Sequence, residues 1–180
     1  MVVAVRVPVS TGRRLAESHL VKLLFIGDVV GRPGRDLVRR HTRGLAAAHH
    51  ADLVIANGEN AAGGVGITRE NAHELLGAGI DVLTSGNHVW DKRETLEFIT
   101  HEPRLVRPAN YPAGTPGAGS YVAATRAGVA VGVVNVMGRV FMAALDDPFR
   151  AADRESARMR EAGVRVVCVD MHAETTSEKM

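Results

Sequence analysis

Apolar runs alternate with helical patterns along the first half of this chain. Short apolar runs over 21–26, 52–56 and 80–84 predict buried strands, and apolar residues at helical spacing over 35–50 predict an amphipathic helix. Parallel neighbouring strands need a crossover connection, and strands buried on both faces are continuous apolar runs. The pattern therefore predicts an α/β fold with a mainly parallel sheet covered by helices.

Two further helices are indicated by the residues at their ends. Thr68 has the position of an N-cap for a helix that stops within 77–79. Asp91 and Glu94 have the spacing of a capping box, which predicts a helix over 92–100. Ligands of such folds bind at the carboxyl ends of the strands, so we expect a functional site at that edge.

The alternation of apolar runs and helical patterns is interrupted after Pro103. Proline and glycine residues predict a long loop up to residue 119. Apolar runs over 120–124 and 129–134, separated by a short turn, predict a β-hairpin. A helix over 148–162 and a strand over 164–169 then restore the alternation of helix and strand.

The composition is that of an ordinary globular domain. The chain has 180 residues, of which 46% are hydrophobic and 23% are charged, which is enough for one domain with a real core. We predict a domain over 21–180, preceded by an N-terminal extension over 1–20 to which no function is assigned. A formal net charge of +2, with scattered arginines, does not indicate a nucleic-acid surface.

Membrane association is not expected. No apolar run approaches the roughly 20 residues needed to cross a bilayer, and the apolar N-terminus lacks the features of a signal peptide. The single cysteine, Cys168, excludes an internal disulfide and is interpreted as a small buried hydrophobic residue. These features favour a soluble, cytoplasmic protein.

Metal-binding residue types follow the predicted strands. In chain order they are Asp28, Glu59, Asn60, Asn87, His88 and His172, the last flanked by Asp170 and Glu174. If the strands are parallel neighbours, their carboxyl ends lie side by side at roughly 5 Å spacing, so these side chains can converge. Carboxylate, amide and imidazole groups suit a hard or borderline cation, and a bridging carboxylate would serve two cations.

Each of these residues also has an explanation without a metal. Asp28 can cap a turn, and Asn60 and Asn87 can adopt a left-handed backbone in turns. His88 alone can be a structural histidine. A shared metal site accounts for the whole set better than separate accidents at successive strand ends.

Other motifs favour no second site. The glycine-rich segment 27–34 lacks the glycine spacing of a dinucleotide loop and the Lys-Ser/Thr ending of a phosphate loop. His49 and His50 at a helix end, and the charged residues of 39–43, are interpreted as solvated surface. His73 and His101 are assigned no role.

The segments that carry the candidate residues closely resemble one family, the YmdB-like branch of the calcineurin-type metallophosphoesterases, at 24–31, 57–63, 84–91 and 170–179. The resemblance implies the N-terminal part of a metallophosphoesterase α/β/β/α sandwich with a dinuclear centre, often of iron, with manganese or magnesium as alternatives. It also implies hydrolysis of 2',3'-cyclic nucleotides or related phosphodiesters.

The resemblance also assigns roles. The ligands that it implies are Asp28, Glu59 and Asn60 for one cation, and Glu59, Asn87 and His172 for the other. Glu59 would bridge the two cations, and His88 would donate a proton to the leaving oxygen.

Two departures from the wider superfamily are shared by the YmdB-like branch. Val30 occupies the histidine position of the usual Asp-x-His motif, and Glu59-Asn60 replaces an Asp-based motif. Family members continue for roughly another hundred residues, a domain-scale length. They contain a late Gly-Thr-His-Thr-His segment, not found here, whose two histidines complete the metal shells. We therefore expect this chain to be the N-terminal part of such an enzyme.

Alternatives to an autonomous phosphodiesterase stay open. The chain can be an inactive fragment that acts as a regulatory or scaffolding module, or as a split subunit completed by a C-terminal polypeptide. A phosphomonoesterase or a nuclease would share the metal centre and differ in its substrate pocket. A homo-oligomer also stays open.

Overall fold

Two β-sheets packed face to face make up most of the structure, a computed structural model that describes residues 2–8 and 18–180, with side chains from residue 20 onward. The first sheet has the order β1 (Val2–Pro8), β2 (Ser18–Ile26), β3 (Leu53–Asn57), β4 (Val82–Thr84). The second sheet has the order β5 (Ser120–Ala124), β6 (Ala130–Met137), β7 (Val166–His172). The helices are α1 (Gly31–His49), α2 (Arg69–Gly77), α3 (Thr95–Phe98), α4 (Pro148–Glu161) and a short 3-10 helix (Thr176–Glu178).

Strand direction places the functional edge of the molecule. β2, β3 and β4 are parallel, so their carboxyl ends lie at one edge of the first sheet. In the second sheet, β5 and β6 are antiparallel, whereas β6 and β7 are parallel, with Met137 opposite His172. The prediction of an α/β fold with mainly parallel pairing is confirmed.

The alternation of side chains along the strands divides the core into three apolar clusters. Leu53 and Ile55 of β3 face the second sheet and pack in one cluster with Val131, Val133 and other residues of both sheets. The intervening residues of the first sheet pack against α1, α2 and α3. The outer face of the second sheet packs against α4. The layers therefore run helix, sheet, sheet, helix.

Several local predictions are confirmed. Thr68 caps α2, because its side chain accepts a hydrogen bond from the Asn71 amide at 3.1 Å. The predicted hairpin is the β5–β6 pair. The helix predicted over 148–162 is α4, whose cap is Asp147.

The predicted capping box is wrong. The third helix is only Thr95–Phe98, and its N-cap, Glu94, makes no side-chain capping bond. Asp91 lies before the helix and bonds to a histidine ring instead. Because the helix begins only at Thr95, Asp91 is not at its N-cap position.

Several strand boundaries also differ from the prediction. The strand predicted over 21–26 begins at Ser18, and β7 extends to His172, so the strand includes Asp170. Residues 2–8, predicted as part of an extension, form β1 antiparallel to β2. Four valines in this segment account for its strand propensity. The rest of the predicted extension up to residue 17 lies outside the described residues.

One topological expectation is corrected. β7 belongs to the second sheet and is not a neighbour of β2, β3 or β4. His172 therefore reaches the candidate site across the sandwich rather than along one sheet edge. In the part of the chain that is described, no helix has the length and apolar character to cross a membrane.

Candidate metal centre

The three loops that follow β2, β3 and β4 are joined by backbone hydrogen bonds. The Val29 amide donates to the Asn57 carbonyl at 3.0 Å, and the Gly31 amide donates to the Asn60 carbonyl at 2.9 Å. The Gly58 amide donates to the Thr84 carbonyl at 3.0 Å. These bonds hold the loops against one another, so the side chains that they carry share one edge.

Asp28 and Asn60 form one part of the site. The Asn60 Nδ2 lies 3.0 Å from each carboxylate oxygen of Asp28. Asp28 is exposed and Asn60 is half-buried. The Asn60 Oδ1 is buried and has no hydrogen-bond partner among the described residues, which leaves one oxygen acceptor unsatisfied at this position.

Glu59, Asn87 and His172 form the other part. The His172 Nε2 lies 3.0 Å from the Glu59 Oε1 and 2.8 Å from the Asn87 Oδ1. The second carboxylate oxygen of Glu59 accepts a hydrogen bond from the His88 amide at 3.1 Å. The Glu59 side chain is only 1% exposed, so these contacts, and not water, satisfy its carboxylate oxygens.

A glycine makes room for this convergence. A Cβ atom at Gly86 would lie 2.4 Å from the His172 Cδ2 and 2.6 Å from the Glu59 Oε2. Real Cβ atoms do not approach other atoms so closely. Gly86 is therefore required for steric reasons. This requirement was not predicted from the sequence, where the only indication was that Gly86 precedes Asn87.

His88 is oriented by Asp91. The His88 Nδ1 lies 2.7 Å from the Asp91 Oδ2, and both side chains are partly exposed. The Nε2 on the opposite side of the ring is thereby directed away from Asp91. His88 follows Asn87 directly, so the oriented ring lies next to the part of the site that contains Glu59.

The site carries an excess of negative charge. Burial alone would lower the pKa of His172, but the Glu59 hydrogen bond and the charges of Glu59, Asp170 and Asp28 outweigh it and raise the pKa. Burial also raises the pKa of Asp170, partly offset by hydrogen bonds from Thr84 and Asn57. Clustered carboxylates of this kind favour a bound cation.

The donor set fits a metal ion only when the amides are included. Within the described residues, no group of three His, Cys, Asp or Glu side chains could hold a metal ion. Oxygen from Asn60 and Asn87 extends the set formed by Asp28, Glu59 and His172. The unsatisfied Asn60 Oδ1 and the crowding of acceptors around the His172 Nε2 are features that a cation would relieve.

Two neighbouring features were not predicted from the sequence. Trp90 and Tyr111 pack edge to face beside the site, with ring centroids 5.8 Å apart. Burial raises the pKa of Tyr111, and the nearby charge of Glu59 raises it further. Asp170, noted only as a neighbour of His172, accepts a hydrogen bond from Thr84 across the two sheets at 2.5 Å. Glu174 is exposed.

Comparison with known proteins places the chain in one family. The family model described as YmdB-like protein matches residues 24–180. The chain belongs to the YmdB-like family. This YmdB-like chain is 48% identical over 163 residues to the 2',3'-cyclic-nucleotide 2'-phosphodiesterase of Bacillus subtilis, covering 89% of the chain and 60% of that protein. A putative phosphatase/phosphodiesterase of Mycoplasma genitalium is 32% identical over 165 residues, covering 88% and 57%.

Solved structures show the same fold. A hypothetical protein from Thermus thermophilus matches the YmdB-like chain with a TM-score of 0.79 at 46% identity, covering 88% of the chain and 60% of that structure. A phosphatase from Mycoplasma pneumoniae matches with a TM-score of 0.78 at 31% identity, covering 88% and 57%. The chain thus spans about 60% of the length of the relatives that it matches.

Proposed function

We propose that this chain carries the active centre of a metal-dependent phosphodiesterase that acts on 2',3'-cyclic nucleotides or related phosphodiesters. The observation that supports it most is the convergence of Glu59, Asn87 and His172 from three strand ends, with nitrogen-to-oxygen distances of 2.8 and 3.0 Å. The name of the Bacillus subtilis relative supports the substrate class.

The proposed centre holds two cations, of iron, manganese or magnesium. Asp28, Asn60 and Glu59 would hold one, and Glu59, Asn87 and His172 would hold the other. The pairing of Asp28 with Asn60 and the contact of His172 with both Glu59 and Asn87 support this division. Glu59 would contribute to both cations, the role that the resemblance to the YmdB-like family implies for it.

The protein's own groups supply orientation and proton transfer. When bound, the cations neutralise charge on the phosphoryl oxygens and activate water for in-line attack. His88 protonates the ribose oxygen that leaves, and Asp91 holds the His88 ring so that its Nε2 is presented to that oxygen. The partly exposed position of His88 leaves this nitrogen accessible to a substrate.

The first experiment measures metal content and turnover on the 180-residue chain itself. After loading with Mn²⁺ or with Fe²⁺ under anaerobic conditions, an autonomous enzyme should hold about two metal ions per chain and hydrolyse bis(p-nitrophenyl) phosphate and 2',3'-cyclic AMP. A folded chain that binds no metal and hydrolyses neither ester would contradict the proposal. That result would favour the inactive regulatory or split-subunit module.

Replacement of Glu59 by alanine tests the bridge. Because one carboxylate would serve both cations, Glu59→Ala should lose both metals together, as measured by elemental analysis after gel filtration. Retention of two metals per chain would refute the bridging role.

Replacement of His88 by alanine tests its role as the proton donor. We expect His88→Ala to keep its metal content and to lose about 10²–10⁴-fold in turnover, measured with 2',3'-cyclic AMP. Asp91→Asn should give a smaller loss in the same direction, because it disturbs the ring without removing it. Unchanged turnover in His88→Ala would rule out the proton-donor role.

Product analysis distinguishes a phosphodiesterase from a phosphomonoesterase and from a nuclease. A phosphodiesterase of the proposed kind converts a 2',3'-cyclic nucleotide to a nucleoside monophosphate and stops there. Release of inorganic phosphate from p-nitrophenyl phosphate at a comparable rate would point to a phosphomonoesterase, and cleavage of single-stranded DNA or RNA would point to a nuclease.

A further inference from the structure

The space between the two sheets changes from apolar to polar beneath the candidate metal centre. The faces of β3, β4, β6 and β7 that meet between the sheets are apolar along most of their length. Near the carboxyl ends they carry a set of polar residues, here called the polar layer: Asn57, Thr84, Ser85, Asn135 and Asp170. Polar groups between packed sheets are unfavourable unless they are hydrogen-bonded, so this layer depends on its internal bonds.

Those bonds join the two sheets. The Thr84 hydroxyl of β4 donates to the Asp170 Oδ2 of β7 at 2.5 Å. The Asn135 Nδ2 of β6 donates to the Ser85 carbonyl at 2.9 Å. The Asn57 Nδ2 donates to the same Ser85 carbonyl at 3.2 Å, and the Asn57 Oδ1 accepts a hydrogen bond from the Glu59 amide at 3.2 Å. The network therefore extends from the second sheet to the backbone of Glu59.

The spacing along the chain connects the polar layer to the metal centre. Asn57 precedes Glu59 by two positions, and Asp170 precedes His172 by two. Residues two apart on a strand project from the same face, so Asp170 and His172 both point toward the first sheet. A bond that holds Asp170 against β4 therefore also sets how far His172 reaches toward its partners.

We propose that Thr84 and Asp170 are positioning residues of the centre. Their hydrogen bond fixes the relative placement of β4 and β7, so that the His172 ring meets the oxygens of Glu59 and Asn87. This inference rests on the proposed function, since the placement matters most if these atoms share a cation. Hydrogen-bonded groups behind metal ligands typically change metal affinity by about 10- to 100-fold when they are removed.

The decisive variant is Thr84→Val, which keeps the volume of the side chain and removes the hydroxyl. Titration of the metal-free chain with Mn²⁺ should show binding about 10- to 100-fold weaker than wild type. Thr84→Ser restores the hydroxyl and should return the affinity close to that of wild type. Mn²⁺ binding by Thr84→Val at wild-type affinity would overturn the proposal.

Thr42→Val is the matched control. Thr42 of α1 is also buried, and its hydroxyl has no hydrogen-bond partner among the described residues. The same chemical change there should leave Mn²⁺ affinity unchanged. A comparable loss in Thr42→Val would show that the effect is a general consequence of replacing a buried threonine, and would contradict the positioning role.

A second readout needs no metal. Long-range ¹H–¹⁵N spectra of the metal-free chain report whether the His172 Nε2 carries a hydrogen-bonded proton. This signal should be the same in wild type, Thr84→Ser and Thr42→Val, and should shift or broaden in Thr84→Val. If wild type binds no Mn²⁺, the proposed metal-dependent function fails. Independently of that result, an unchanged His172 signal in Thr84→Val would overturn the positioning role of Thr84.

Asp170→Asn serves as the second probe should Thr84→Val not fold. It keeps the side-chain shape and replaces the charged acceptor of the Thr84 hydrogen bond. We expect weaker Mn²⁺ binding and a shifted His172 signal. Wild-type values for both measurements would contradict the proposal.

Discussion

The two parts of the candidate centre are held in different ways. The buried half, named after the buried Glu59, also contains the half-buried Asn87 and His172. It is assembled from two sheets, and its side chains bond directly to one another. The exposed half, named after the exposed Asp28, also contains the half-buried Asn60. It comes from two loops of the first sheet whose backbones are hydrogen-bonded together. The buried half therefore depends on how the sheets pack, whereas the exposed half depends on local loop structure.

This difference has a consequence for stability. A group that is packed and hydrogen-bonded away from water contributes more to folding than a solvent-exposed pair. Substitutions in the buried half should therefore alter both the fold and the centre. Substitutions in the exposed half should alter metal binding with little effect on the fold.

The largest effect is expected for Gly86→Ala in the buried half. The new Cβ would overlap the His172 ring and the Glu59 carboxylate, and relief of that overlap should lower the free energy of unfolding by about 1–3 kcal/mol. Urea unfolding with a chelator present measures this value. Gly27→Ala is the matched control, because a Cβ there meets nothing within 4 Å, and its effect should stay below about 0.5 kcal/mol. Equal effects of the two variants would contradict the steric argument.

A smaller effect is expected when the two asparagines are compared. Asn87→Ala removes one acceptor of the His172 Nε2 proton and should lower the free energy of unfolding of the metal-free chain by about 1 kcal/mol. Asn60→Ala removes a bond to the exposed Asp28 together with an unsatisfied oxygen, so its effect should stay within about 0.5 kcal/mol. The comparison between the halves fails if Asn60→Ala is the more destabilising variant.

The smallest expected effect is a change in the labelling rate of Cys168, which reports on the packing of β7. Burial, and to a lesser degree the charge of Asp170, raises the pKa of the Cys168 thiol to about 11. Iodoacetamide should therefore label the folded chain slowly at pH 8, with a rate that rises about tenfold per pH unit up to pH 10. In urea the rate should level off near the ordinary thiol pKa of about 8.5. A plateau near pH 8.5 in the folded chain would show that β7 is not packed as described.

The sequence pattern predicted the first sheet well because its information is local. Each of β2, β3 and β4 is a short apolar run followed by a loop and a helix, and crossover connections force such strands to be parallel. The placement of Asp28, Asn60 and Asn87 at one edge follows from that topology. These polar residues interrupt the apolar runs and thereby indicate where the strands end.

Other contacts were not predictable in the same way. Asp91 has the sequence spacing of a helix cap, yet its carboxylate bonds to His88, because α3 begins only at Thr95. The polar layer was also missed. A signal for it exists in the strands, because Asn57 and Asp170 interrupt apolar runs on the buried faces, but the partner of each residue lies on a different strand.

The sequence alone determined the alternation of strands and helices, the polar residues at the strand ends and the resemblance to the YmdB-like family. Those features are encoded in residue spacings of a few positions. The tertiary structure decided that β7 lies in a second sheet, that His172 meets Glu59 and Asn87 across the sandwich, and that Thr84 bonds to Asp170. These contacts join residues 85 to 113 positions apart, and their geometry depends on the packing of two sheets, which no local pattern specifies.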